Sequence, residues 1–146
     1  MNLGEGPRVQ AVAWARGAMP MEACGLLVGT CAADGARGRA VHRVTLSSNL
    51  AGHLARGRFV LDPAHWLAVE KEAASSGLQV LGVWHSHPAD AASDPGAVPS
   101  VRDIEGAIPG WSYLILSVDS RGGACLRSWR APDESAGGGM VEERLD

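Results

Sequence analysis

The sequence predicts a single α/β domain. Three compact apolar runs, CGLLVGT at 24–30, QVLGVWH at 79–85 and WSYLILSV at 111–118, read as buried strands, and an amphipathic helix with a clear start signal falls between the first two. A chain of 146 residues, 46% of them apolar, can enclose one well-buried core.

The elements follow in order. Val9, Val12 and Ala13 have the i, i+3, i+4 spacing of one helical face over 8–18, a short stripe because Arg16 comes next on it. Pro20 breaks that helix, and 24–30 is the first strand. The Gly-, Ala- and Arg-rich segment 31–39 reads as a turn before a second strand at 40–47. Asn49–Arg58 is loop-like, and Phe59–Leu61 is a short extended piece. Asp62-Pro63 is an N-cap acid followed by proline at the first helical position. Trp66, Val69 and Ala73 then share a face, and Gly77 stops the helix. A strand over Gln79–His85 leads into a loop with Pro88, Pro95 and Pro99, and a short helix starts at Ser100. The run 111–118 is apolar on both faces, as a central strand must be, and ACLRSW at 124–129 alternates and should pair beside it. With Gly137–Gly139 and several charges, the stretch after Ala131 reads as a mobile tail, which gives a domain over 1–131 and a tail over 132–146.

Composition narrows the function. A net charge of −3 with 20% charged residues describes a soluble globular chain and argues against a nucleic-acid partner, which needs a concentrated basic face. Arg37, Arg39, Arg43, Arg56 and Arg58 read as solvated loop and strand-edge residues. No stretch approaches the ~18 apolar residues of a membrane span. The N-terminus lacks a basic-then-apolar signal pattern, so a cytoplasmic location is expected. Cys24, Cys31 and Cys125 are an odd, sparse set that fits reduced thiols.

Chemistry concentrates at HSHP, 85–88. Strand alternation points His85 and His87 to one face, about 6.5–7 Å apart at Cα, and sends Trp84 and Ser86 to the other. Pro88 should stop the strand and leave both imidazoles at its C-terminal end. Two histidines alone are a weak signal, because zinc catalysis also needs a third ligand, an open position and a base. Asp103 is the candidate third ligand, although Ser100-x-x-Asp103 also has the form of a helix capping box. The two roles are compatible, since the cap would hold Asp103 in a rigid first turn. Asp90 and Asp94 are rival ligands in a loop with no visible anchor. Glu22, at the edge of the first strand, is the candidate base if that strand lies beside the histidine strand. Cys24 would share a face with Glu22 and could approach an ion, closing the water position; the plainer reading is a small buried residue. His42, His53 and His65 read as surface or hydrogen-bonding residues.

Glu22, His85-x-His87-Pro88 and Pro99-Ser100-x-x-Asp103 together resemble the JAMM (MPN+) zinc metallopeptidases, as do the stretches PMEACGLLVG, GVWHSHP, RFVLDP and SYLILSV. The resemblance implies a single MPN-type domain, a mixed curved sheet flanked by helices with cytidine-deaminase-like layering. By it, His85, His87 and Asp103 would bind Zn²⁺ with water as fourth ligand, Glu22 would carry the proton, and Ser100 would hydrogen-bond the scissile carbonyl. Small bacterial relatives of this type are associated with ubiquitin-like sulfur-carrier proteins, cutting after a C-terminal Gly-Gly. General C-terminal or cell-wall peptide hydrolysis and a non-catalytic scaffold are the alternatives, the scaffold weakened because all five positions are filled. Eleven residues separate Pro88 from Ser100, more than the family's usual spacing, which puts substrate preference in question. There is no room for the inserted segments with which deubiquitinases of the family grip ubiquitin. Oligomeric state is not readable.

Overall fold

In the computed structural model, which describes residues 1–32, 38–132 and 139–146, seven strands form one mixed sheet. The chain runs β1 (Asn2–Leu3), α1 (Glu5–Ala18), β2 (Cys24–Cys31), β3 (Arg39–Val44), α2 (Pro63–Ser75), β4 (Gln79–Ala89), α3 (Val101–Glu105), β5 (Ser112–Asp119), β6 (Ala124–Arg130) and β7 (Val141–Glu143). Short 3-10 turns occupy Gly52–Leu54 and Asp94–Ala97. The strand order is β1-β3-β2-β4-β5-β6-β7. β1 and β3 are parallel, as are β4 and β5, and the other neighbours are antiparallel.

Each face of the sheet carries one long helix. Ala11 and Ala15 of α1 pack on Leu27, Val41, Trp84 and Leu114, whereas Val69 and Ala73 of α2 pack on Leu26, Val28, Val83 and Tyr113. Every residue of β5 is buried, which is why its sequence is apolar on both faces. Trp84 is fully buried, stacks on Trp14 at 6.1 Å and donates its indole N–H to the Thr45 carbonyl at 2.7 Å. A Cβ on Gly25 would collide with that carbonyl and with the indole nitrogen, so glycine is needed there. As expected, the Asp62 carboxylate caps α2 by accepting the Ala64 N–H, and Gly77 adopts φ +69° just beyond the helix.

Three expectations need correction. First, the chain end is built into the sheet: β7 pairs with β6, Leu3 donates to the Asp146 carbonyl, and Asp146 donates to the Met1 carbonyl. The sheet therefore curls until its two edges join. Strands of two and three residues are too short to show a period, so neither β1 nor β7 is legible as a pattern. Of the proposed tail, 133–138 lie outside the described residues, as do 33–37 of the proposed turn. Second, β4 runs through Pro88 to Ala89. The Ser86 N–H points toward the chain before β2, to the Ala23 carbonyl, and the nitrogen of Pro88 points to that same side, beyond the last β2 partner. Its missing N–H therefore costs no ladder bond, while pairing with β5 continues on the other side. Third, β3 ends at Val44 and α1 begins at Glu5.

Candidate metal centre

His85 and His87 project from the end of β4 on the α2 face, and Asp103 enters from the first turn of α3. Their ligand atoms all lie within 4.8 Å of one another. The two Nε2 atoms are 3.0 Å apart; His85 Nε2 is 3.3 Å from Asp103 Oδ1, and His87 Nε2 is 3.7 Å from Asp103 Oδ2. His85 is fully buried and Asp103 nearly so, with His87 facing the cleft.

Local structure holds each ligand. The Ser100 hydroxyl accepts the Asp103 N–H and the Asp103 carboxylate accepts the Ser100 N–H, so the capping box is formed by the candidate ligand itself. His87 Nδ1 donates to the Gly96 carbonyl at 2.9 Å, which leaves the lone pair of a neutral ring on Nε2, facing the other two ligands. Phe59 stacks on His85 with ring centroids 4.5 Å apart, and the His85 Nδ1 is buried without a hydrogen-bond partner among the described residues.

The loop thought to lack anchors has four. The Ala92 N–H binds the Asp119 carboxylate, Ser93 N–H binds the Ser117 hydroxyl, Trp129 Nε1 binds the Ala97 carbonyl, and Gly96 holds His87. A Cβ on Gly96 would overlap the Ser117 hydroxyl. Asp90 is exposed and outside the convergent group; only the backbone of Asp94 is described. Cys24 pairs with His85 across β2 and β4 but is not in the group either. Burial, aided by the charge of Glu22, pushes its thiol up to about 12, so it stays protonated in the metal-free protein.

Glu22 faces the same cleft as His87, Ser100 and Asp103, a space of about 520 Å³. Three backbone ties fix it. Its N–H binds the Ala55 carbonyl, Asn49 Nδ2 binds its carbonyl, and the next residue, Ala23, exchanges hydrogen bonds with the backbone and hydroxyl of Ser86, between the two histidines. Asn49 also donates to the Arg58 carbonyl and accepts from Ala51 and Val60, using its whole amide to tie Glu22 to the 58–60 strip.

The electrostatics separate these groups. Burial pushes the Glu22 carboxyl up to about 7, with Asp103 adding to the rise and His87 opposing it. Burial lowers His85 below the ordinary histidine value, keeping it neutral. Burial works to lower His87, but the nearness of Asp103 and Glu22 and its bond to Gly96 prevail and raise it. Burial also works against ionisation of Asp103, but the nearness of both histidines and the bond from Ser100 prevail and hold it well below the usual carboxylate range. Two facing ring nitrogens and an ionised carboxylate thus attract positive charge at one point. A nitrogen, nitrogen, oxygen donor set of this kind, open on the cleft side, fits a divalent metal with a position to spare.

Sequence reasoning had named these five residues. It missed Phe59, the Gly96 carbonyl and Asn49. Phe59 lies in RFVLDP, a stretch already singled out, but a stacking partner leaves no spacing signal, and a backbone carbonyl leaves none at all.

The family model for prokaryotic homologs of the JAB domain matches residues 8–132. The chain is 40% identical over 108 residues to the desampylase of Haloferax volcanii, covering 73% of this chain and 70% of that relative. A solved structure from Desulfitobacterium hafniense is similar at TM-score 0.79 and 30% identity, over 99% of this chain and 90% of that one. A JAB1/MPN domain protein from Archaeoglobus fulgidus shares the fold at TM-score 0.51 and 17% identity, covering 99% of this chain and 98% of that one. On this sequence match, over a fold that gathers His85, His87 and Asp103 beside Glu22, the chain belongs to the prokaryotic JAB-domain family.

Proposed function

We propose that this chain is a zinc-dependent hydrolase that cuts the amide bond after the C-terminal Gly-Gly of a ubiquitin-like sulfur-carrier protein in the cytoplasm. The observation that carries the reading is the placement of a buried carboxylate, Glu22, in the same cleft as His87 and Asp103, which converge with the buried His85. Support for a ubiquitin-like substrate comes from the similarity to a desampylase.

His85, His87 and Asp103 would hold the metal through Nε2, Nε2 and a carboxylate oxygen. When bound, zinc supplies Lewis acidity that lowers the pKa of water and polarises a carbonyl. The protein's own groups do the rest. Ionised Glu22 takes a proton from the attacking water and delivers it to the departing amine. The C–N bond breaks, glycine keeps the oxygen as its carboxylate, and the rest of the substrate leaves with a new amino group. Ser100 donates to the carbonyl oxygen as charge gathers there. It can cap and donate together, because the cap uses its lone pair and leaves its proton free.

The test is incubation of zinc-loaded protein with a Gly-Gly carrier that carries a C-terminal extension, followed by intact mass measurement. Cleavage directly after Gly-Gly in the wild type, absent in Glu22→Gln, is the expected result. Failure to cut any such carrier, or equal cleavage by both proteins, overturns the proposal.

A further inference from the structure

Two arginines line the cleft that holds Glu22, His87 and Ser100, and hydrolysis after Gly-Gly leaves them without a task. The Gly-Gly tail is uncharged backbone, and the reacting centre already has its proton carrier. Both arginines sit on braced elements. The Arg58 carbonyl is tied through Asn49 to the carbonyl of Glu22, so its distance from the base is set by one side chain. Arg102 precedes Asp103 in α3, and its guanidinium donates to the Gly57 carbonyl at 3.3 Å, spanning the cleft wall. Its charge is close enough to act on Glu22. Three acids line the same cleft; Glu22 and Asp103 are committed to the proton and the metal in the proposed reaction, which leaves Glu105 alone to offset the two cations.

We infer that Arg58 and Arg102 bind the α-carboxylate of the residue released, so that the preferred leaving group is a single C-terminal amino acid joined through its α-amine. This rests on the Gly-Gly reading and deepens it. In an α-linked residue the carboxylate is one carbon from the scissile nitrogen, within the reach of a cleft of about 520 Å³. A lysine side chain joined through its ε-nitrogen presents apolar methylenes at that place, and nothing for a guanidinium to grip. Arginine suits the task because its planar donors match a carboxylate in two parallel hydrogen bonds.

The experiment compares three synthetic peptides sharing one sequence up to Gly-Gly: one ending in alanine with a free acid, one ending in alanine amide, and one joined to the ε-nitrogen of a lysine with both its ends blocked. The readout is the ratio of kcat/KM for acid over amide. It cancels any influence of Arg102 on Glu22, and a merely structural role for either arginine would leave it unmoved. The wild type is expected to favour the acid about 10- to 100-fold, in line with one or two charge-assisted hydrogen bonds. Arg58→Gln and Arg102→Gln should each bring the ratio toward one. A wild-type ratio near one, or a ratio kept in both variants, overturns the inference, and cleavage of the amide and ε-linked peptides would then leave the Gly-Gly reading standing. If none of the three is cut, both fall together.

Discussion

The Ser100 hydroxyl accepts the Asp103 N–H at 3.2 Å, and the Asp103 carboxylate accepts the Ser100 N–H at 2.7 Å. The proposed metal ligand and the hydroxyl proposed to face the scissile carbonyl are thereby locked to each other in one helical turn. Ser100→Gly separates the two duties, since glycine costs only a few tenths of a kcal/mol as an N-cap but has no hydroxyl. Thermal unfolding should shift by about 2 °C or less, while kcat drops about 10²- to 10³-fold. A kcat within threefold of wild type, on protein that melts normally, would remove Ser100 from the chemistry.

The Gly96 carbonyl orients His87, and Gly96 lies against the Ser117 hydroxyl with no space for a Cβ. Gly96→Ala should push the loop away and loosen the imidazole. Zinc affinity, read by competition with a chelating dye, should fall about 10- to 100-fold, the range for losing an outer-shell partner. Unchanged affinity would mean that the long loop has no part in holding the ligand.

Glu22 links stability to pH. Its carboxyl rises from an ordinary 4.5 to about 7 on folding, so the fold favours the neutral form. The penalty for ionising it is absent below the unfolded value and complete above the folded one, and metal-free protein should lose this part of its stability as pH climbs between them. With a chelator present, Glu22→Gln should melt close to wild type at pH 4 and a few degrees higher at pH 8. Activity should move the other way, rising with pH as the carboxylate forms. Equal melting temperatures at pH 8 would contradict the buried setting assigned to this residue.

The joined edges of the sheet depend on the last six residues. Glu142 makes two hydrogen bonds to Arg127, Glu143 binds the Ser128 hydroxyl, and Asp146 pairs with Met1 and Leu3. Deleting 141–146 should lower the melting temperature by several degrees and bare the edge of β6, with self-association visible in size-exclusion chromatography. A truncated chain that melts like wild type would show the closure to be incidental.

How much of this was legible depended on how local the cause is. Strand alternation placed His85 and His87 together, and the Ser-x-x-Asp pattern placed Asp103 in a rigid turn, because both effects act within a few residues. The pairing of β2 with β4 that brings Glu22 beside the histidines carries no such local signature and rested on the family resemblance. Pro88 has the local form of a strand stop, but its missing N–H matters only if a neighbour lies on that side, a fact of topology that the sequence does not carry. The 89–99 loop looked loose because its anchors, Asp119, Ser117 and Trp129, come from strands far along the chain.

That His85, His87 and Asp103 jointly hold one zinc ion is tested most directly by native mass spectrometry of the chain purified with excess zinc, beside Asp103→Asn. Asparagine can still accept the Ser100 N–H but lacks the charge that attracts the metal. The wild type should carry one zinc per chain, and the variant none or a small fraction. A wild type that stays metal-free in excess zinc, or a variant that retains a full equivalent, would contradict the account.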